Sequence, residues 1–488
     1  MTANPDRDKA GPRARALRRL LLLLALLGLL PGLPALADDA VSHQRYRLGG
    51  VEVPFTVTAG TLSMGGGERG ATLFYVAYAR DGVPADGRPV TFVFNGGPGA
   101  SSAYLHLGAL GPRILEQGPD GQFAPATQRL ADNPDTWLDL SDLVFIDPVG
   151  TGYSRGDRRY WSVGEDLNSF ADFIESYLKK NARLSSPKYL VGESYGGFRA
   201  ARLPDLLASD HGIALAGSFL ISPMLETSLR SSDSLALLPD ALILPSYAAV
   251  ALERTMTPTP ASLAEVEHYA LGPYITALAN PRNEVGLRAM YAQVARYVGL
   301  PEALVTRYGG RVPLGVFTKE IRRGEKLIVS RYDGSVSVPD PYPATSRTAV
   351  DPIYDTFGLA LSGTVEDYLR TLGVQRDETY RVSNGEVSRS WNWRPGRNPG
   401  DGDFGASSEL REALAANRSL KIVIAHGMTD LVTPYLASRY VIDHLPAGLT
   451  DGHVSIDLYP GGHMMYLRPV TRARLHADAA RLYPAPPL

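Results

Sequence analysis

The chain has 488 residues, 44% hydrophobic and 20% charged, which is the make-up of a folded globular protein with a large core rather than of a disordered or fibrous one. It contains no cysteine, so thiol catalysis, zinc–cysteine sites and disulfide staples are excluded. The first 37 residues carry six basic and two acidic side chains, so removing them takes the formal charge from −2 to −6, and nucleic acid is not an expected partner.

Those first residues have the parts of a secretory signal: basic Arg13, Arg15, Arg18 and Arg19, an apolar run over 20–30, and small residues at Ala35-Leu36-Ala37. Cleavage after Ala37 is expected. An 11-residue run is too short to cross about 30 Å of hydrocarbon as a helix, so no membrane anchor is expected to remain. The mature chain is then periplasmic or secreted. Arg18-Arg19 leaves twin-arginine export open, although no metal or cofactor motif requires folding before export.

From Val51 to Tyr78, apolar and β-branched runs broken by glycines read as antiparallel strands. Three compact apolar runs follow, Pro89 to Phe94, Asp142 to Ile146 and Lys188 to Val191, each ending at a Gly- or Pro-rich turn as buried parallel strands do. Between the last two, Leu167, Phe170, Ile174, Tyr177 and Leu178 recur at helical spacing, and Ser162 with Glu165 predicts a capping box. Strands near Ser218 to Ile221, Lys421 to Ala425 and Val454 to Tyr459 complete a doubly wound α/β sheet. The Pro-broken, helix-rich stretch between them divides the chain into a core over 38–223, an inserted cap over 224–408 and a second core segment over 409–488.

The chemistry is carried by Gly192-Glu193-Ser194-Tyr195-Gly196, a G-x-S-x-G element running from a strand into a helix. A serine hydroxyl is a weak nucleophile that needs exposure, a base and donors for the oxyanion. The sharp turn exposes Ser194. Tyr195 offers one oxyanion N–H, and the Asn95-Gly96-Gly97-Pro98-Gly99 loop offers a second through Gly96 or Gly97. That loop lacks the G-K-[ST] ending of a phosphate-binding loop and the spacing of a dinucleotide fingerprint. An acid and a histidine should follow late strands in that order; Asp430 and His463 do, whereas His426 precedes the acid and His453 precedes the last strand.

Four segments in order, Asn95 to Ser102, Pro148 to Ser154, Gly192 to Gly197 and Gly462-His463-Met464, resemble the hallmarks of the serine carboxypeptidase family. The resemblance implies an α/β-hydrolase with a cap, no cofactor or metal, and a peptide substrate. It further implies that Glu193 and Asn95, assisted by the Gly96 N–H, bind a terminal carboxylate, while Gly97 and Tyr195 hold the oxyanion. A protonated glutamate donates to a carboxylate, whereas an ionised one repels it. Several positions depart from the family pattern: Ala109 stands in place of a second acid, Val93 of a Trp, Ala100 of a Cys, Pro434 of an Asn and Tyr466 of a Pro, and Ile146-Asp147 replaces Asp-Gln. The expected activity is serine carboxypeptidase, with esterase or acyltransferase as enzymatic rivals and an inactive binding module as the rival of another class. Side-chain preference and oligomeric state are not legible.

Overall fold

Apolar and β-branched runs that exceed what one helix face can hide are satisfied by strands buried on both sides. In the computed structural model, which describes residues 39–484 apart from 66–69, 86, 118–122, 231–234, 347–349 and 394–404, nine such runs build one sheet. The expected signal over 1–37 lies outside the described residues.

The strands are β1 (Ala40–Leu48), β2 (Val51–Met64), β3 (Ala71–Arg80), β4 (Val90–Phe94), β5 (Asp142–Ile146), β6 (Lys188–Glu193), β7 (Gly217–Ile221), β8 (Lys421–Gly427) and β9 (Val454–Tyr459). Their spatial order is β1-β2-β3-β5-β4-β6-β7-β8-β9, with a two-residue strand, Arg155–Gly156, added on β3. From β5 to β9 every pairing is parallel, and β1, β2, β3 and β5 are joined antiparallel. The exchange of β4 and β5 relative to chain order, with crossover helices on both faces, is the α/β-hydrolase arrangement. β4, β5 and β7 are buried along their whole length, which is why they read as unbroken apolar runs.

Two hydrophobic clusters cover the two faces. On one lie α1 (Val163–Lys180) and α2 (Tyr195–His211); α1 buries Leu167, Phe170, Ile174, Tyr177 and Leu178. Each fully buried side chain of this kind contributes about 1.5–3 kcal/mol. The capping box does not form. Ser162 is the N-cap residue, but its hydroxyl donates back to the Arg159 carbonyl at 2.8 Å in the preceding turn, and Glu165 turns toward the Arg159 guanidinium, 3.8 Å away.

The stretch between β7 and β8 distributes over three cores. α3 (Leu238–Glu253) and the helices over 260–320 form a third cluster with a short hairpin, Leu327–Val329 and Ser337–Pro339, and reach Met428 and Tyr435 beyond β8. α4 (Tyr354–Thr371) packs on one sheet face, and α5 (Gly385–Ser390) with Trp391 packs on the other. α6 (Ser407–Ala416), α7 (Tyr435–Asp443) and α8 (Pro469–Ala480) return the chain to the sheet. Among the described residues no helix is long and apolar enough to cross a membrane.

Candidate active site

The carboxyl ends of β4, β6, β8 and β9 converge on one cleft. β6 runs into α2 through Ser194, whose backbone is held at φ 60°, ψ −120°. A non-glycine residue there stores about 1–3 kcal/mol of strain, which the surroundings must over-determine. They do: Ser194 N–H donates to the Ile221 carbonyl, and its own carbonyl accepts from Phe198 and Met224. The turn also tolerates no side chain at its flanks. A Cβ on Gly192 would lie 2.0 Å from the Gly196 carbonyl oxygen, and one on Gly196 would lie 2.6 Å from the Phe94 oxygen. The serine is left partly exposed between buried neighbours, and α2 begins directly behind it with Tyr195, so the positive end of the helix dipole faces the site.

The Gly-rich loop after β4 lies directly against this elbow. A Cβ on Gly96 would meet the Tyr195 nitrogen at 2.4 Å, and Gly97 adopts φ +101°. Asn95, Gly96, Gly97, Glu193, Ser194 and His463 all line the cleft, whose volume is about 340 Å³. The Tyr195 nitrogen lies against Gly96, while its ring is buried among Phe198, Trp391 and the Arg199 guanidinium.

Asp430 lies past the end of β8 and is fully buried. One of its oxygens accepts from the Val432 and Thr433 N–H groups at 2.8 and 3.1 Å. The other is 2.9 Å from His463 Nδ1 and 2.8 Å from Thr433 Oγ1. That contact assigns the proton to Nδ1 and leaves Nε2 free to accept one. Burial pulls the imidazole pKa down, but the Asp430 charge, its hydrogen bond and Glu193 together raise it above the ordinary value. Among the described residues Ser194 Oγ has no hydrogen-bond partner; the serine–histidine bond of such sites commonly tightens only with substrate bound.

The two rival histidines lie elsewhere. His426 is buried within β8, bonded to Ser438 at 2.8 Å, and burial lowers its pKa to about 4. His453 precedes β9 and contacts Arg418 and the Leu420 carbonyl.

Glu193 is 2% exposed, and burial pushes its pKa up to about 7 despite the nearby His463 and two hydrogen bonds. Its Oε2 accepts from Asn95 Nδ2 at 3.0 Å and from the Tyr466 hydroxyl at 2.7 Å. Oε1 faces His463 Nε2 at 4.0 Å. Asn95 is locked in this orientation because its Oδ1 accepts the Leu105 N–H at 3.0 Å and its carbonyl accepts from Arg199, itself paired with Asp166 in the core.

Sequence reasoning missed three residues of this site as partners. Tyr466 was noted as a departure, as was Ala109, yet the two belong together: the buried turn holding Ala109 packs on the Tyr466 ring through Gly108, and the hydroxyl bonds Glu193 where a second acid was missing. Thr433, three residues after Asp430, could have been weighed from that spacing. Ser222 gives no local signal; it follows β7, donates to the His463 carbonyl at 2.9 Å and accepts from Thr433 at 2.9 Å, tying the acid and histidine loops together.

The family model described as serine carboxypeptidase matches residues 49–231, the segment holding the elbow and the Gly-rich loop. Over that segment, well under half of the chain, the protein is similar to the serine carboxypeptidase family. It is 35% identical over 109 residues to a carboxypeptidase Y homolog of Arthroderma benhamiae, covering 22% of this chain and 20% of that protein. With carboxypeptidase sxa2 of Schizosaccharomyces pombe it shares 34% over 145 residues, 28% of this chain and 26% of that one. With serine carboxypeptidase-like 34 of Arabidopsis thaliana it shares 29% over 162 residues, 31% and 30% of the two chains. The matches thus span about a fifth to a third of these relatives.

Proposed function

We propose that this protein is a serine-type carboxypeptidase that removes C-terminal residues from peptides through an acyl-enzyme on Ser194. The observation that carries the reading is the 2.9 Å bond between His463 Nδ1 and Asp430, in the cleft onto which the strained Ser194 turn opens. His463 Nε2 takes the hydroxyl proton as Ser194 attacks the peptide carbonyl, then returns it to the departing amine. Water repeats the cycle: its proton goes to His463, its oxygen to the acyl carbon, and Ser194 is regenerated. Asp430 orients the imidazole and stabilises its charged form. The Gly97 and Tyr195 N–H groups hold the oxyanion.

Trimming from the C terminus rests on Glu193 and Asn95, with the Gly96 N–H assisting. A carboxyl group whose pKa sits near 7 donates to the terminal carboxylate of a peptide at neutral and acidic pH and repels it once ionised. The chain acts after export and signal removal near Ala37, in the periplasm or outside the cell, and the insert over 224–408 serves as the cap that shapes the pockets.

A mixed peptide library tests the reading directly. Loss of residues from the C-terminal end is expected, slowed by C-terminal amidation and lowered by several orders of magnitude in kcat by Ser194→Ala. Ester cleavage without trimming of any peptide would overturn it in favour of an esterase.

A further inference from the structure

The cleft that holds Ser194 and His463 also carries two guanidinium groups that acyl transfer leaves unused. Arg230 ends the short turn Ser228–Arg230 that follows β7, and Arg331 lies just past the strand Leu327–Val329; both line the cleft and both are exposed in it. Among the described residues neither makes an ion pair. Arg230 contacts the Met224 sulfur at 3.1 Å, and Arg331 lies 5.1 Å from the Tyr332 ring centroid.

The two positive charges are close enough for each to feel the other, and Arg230 also feels Asp430. Asp430 does not need Arg230 for its own satisfaction, since two backbone N–H groups, Thr433 and His463 already saturate its oxygens. Arg331 sits on a built platform. Its N–H donates to Asp351 at 2.9 Å, Tyr332 stacks on Tyr354 at 5.3 Å and 14°, and the same Tyr332 ring meets His463 edge to face at 5.6 Å. Two cations presented beside the reacting histidine, repelling each other, with the carboxylate that Arg230 feels, Asp430, already saturated by other donors, form a receptor for a negative charge brought by the ligand. The terminal carboxylate of a peptide already has its own donors in Asn95 and Glu193, so the charge to be met is a different one.

Building on the acyl-transfer reading above, we propose that Arg230 and Arg331 form a subsite for an acidic side chain of the substrate, selecting peptides with aspartate or glutamate next to the bond that Ser194 attacks. The guanidinium forks bind the carboxylate, and the preference enters through ground-state affinity.

Matched peptides carrying Glu, Gln or Lys immediately before or after the scissile bond test this on the full-length enzyme. Glu should exceed Gln by roughly tenfold in kcat/KM, carried by KM and shrinking as salt rises. In Arg230→Gln and Arg331→Gln the Glu-to-Gln ratio should fall toward one, and Arg331→Glu should favour Lys. Equal rates on Glu and Gln peptides in the wild type would overturn the proposal. So would losses of equal size on both peptides in the variants, which would mark the arginines as supports of His463 or of the fold. A Glu preference that vanishes on C-terminal amidation would instead assign them to the terminal carboxylate, and the proposal would fall. Labelling of Ser194 by a fluorophosphonate, competed by acidic against neutral dipeptides, reads the same subsite without turnover. If no peptide is cleaved but acidic dipeptides still compete better, the carboxypeptidase reading fails and the subsite stands.

Discussion

Glu193 and His463 hold protons in competition. Their side chains approach to 4.0 Å, the glutamate titrates near 7, and the imidazole pKa is raised. Under the proposed mechanism the productive microstate places a proton on Glu193 and leaves Nε2 of His463 bare, so the pH profile of kcat/KM should be bell-shaped, with limbs belonging to the pair rather than to either residue. Tyr466 biases that balance, because its hydroxyl donates to Glu193 and favours the ionised form. Tyr466→Phe keeps the ring packed on Gly108 and removes only the donor, so the Glu193 pKa rises further. The pH at which KM for free-carboxylate peptides begins to climb should move upward, while amidated or ester substrates show no such movement. An unchanged KM profile would mean that the hydroxyl does not govern Glu193. The sequence showed Tyr466 and Ala109 as two separate departures; that the Tyr466 ring packs on the turn holding Ala109 and its hydroxyl reaches Glu193 at 2.7 Å became visible only in the structure.

At the level of elements, the sharp turn at Ser194 was legible because its constraint is local. The apolar strand β6, glycines at 192 and 196, and the helix start of α2 adjoin in sequence as they do in space. Gly192→Ala brings a Cβ within 2.0 Å of the Gly196 carbonyl, a clash with backbone that no rotamer relieves. We expect a loss of about 3 kcal/mol or more in stability together with loss of fluorophosphonate labelling, read from thermal unfolding and gel fluorescence. A variant that labels at the wild-type rate would show the elbow to be more pliant than its geometry allows. The Ser162–Glu165 capping box misled for a related reason. The motif is local, but the preceding turn offered the Ser162 hydroxyl a competing carbonyl at Arg159, and the competitor won. The first strand, β1, escaped prediction because it is an edge strand whose burial is slight and whose residues alternate among polar types.

Over the whole molecule, the site is maintained at a cost in stability. Unfolded, Glu193 titrates near 4.5; folded, it titrates near 7, because burial disfavours its charge. The native state therefore binds the extra proton between those values, and its stability falls as pH rises through that window. Glu193→Gln removes the charge while keeping an oxygen for Asn95 and Tyr466. It should be more stable than the wild type by about 3 kcal/mol at most at pH 8 and indistinguishable from it at pH 4, as read by denaturant unfolding at both values. A gap of equal size at both pH values would rule out the carboxyl as its source. Around the site, a buried Arg199–Asp166 pair at 2.7 Å links α2 and α1 to the Asn95 carbonyl, so the Gly-rich loop after β4 takes its position from the core. What the sequence determined by itself was the core strands of the parallel sheet in chain order, the sharp strand-to-helix turn at Ser194 with its glycine loop, and the placing of Asp430 and His463 after late strands. Each of these depends on periodicity or on contacts between chain neighbours. Only the tertiary structure decided that Tyr466 takes up Glu193, that Ser222 and Thr433 lash Asp430 to His463, and that Arg230 and Arg331 meet in one cleft. Those residues lie tens to hundreds of positions apart, and no local pattern encodes a contact made by the crossing of the sheet.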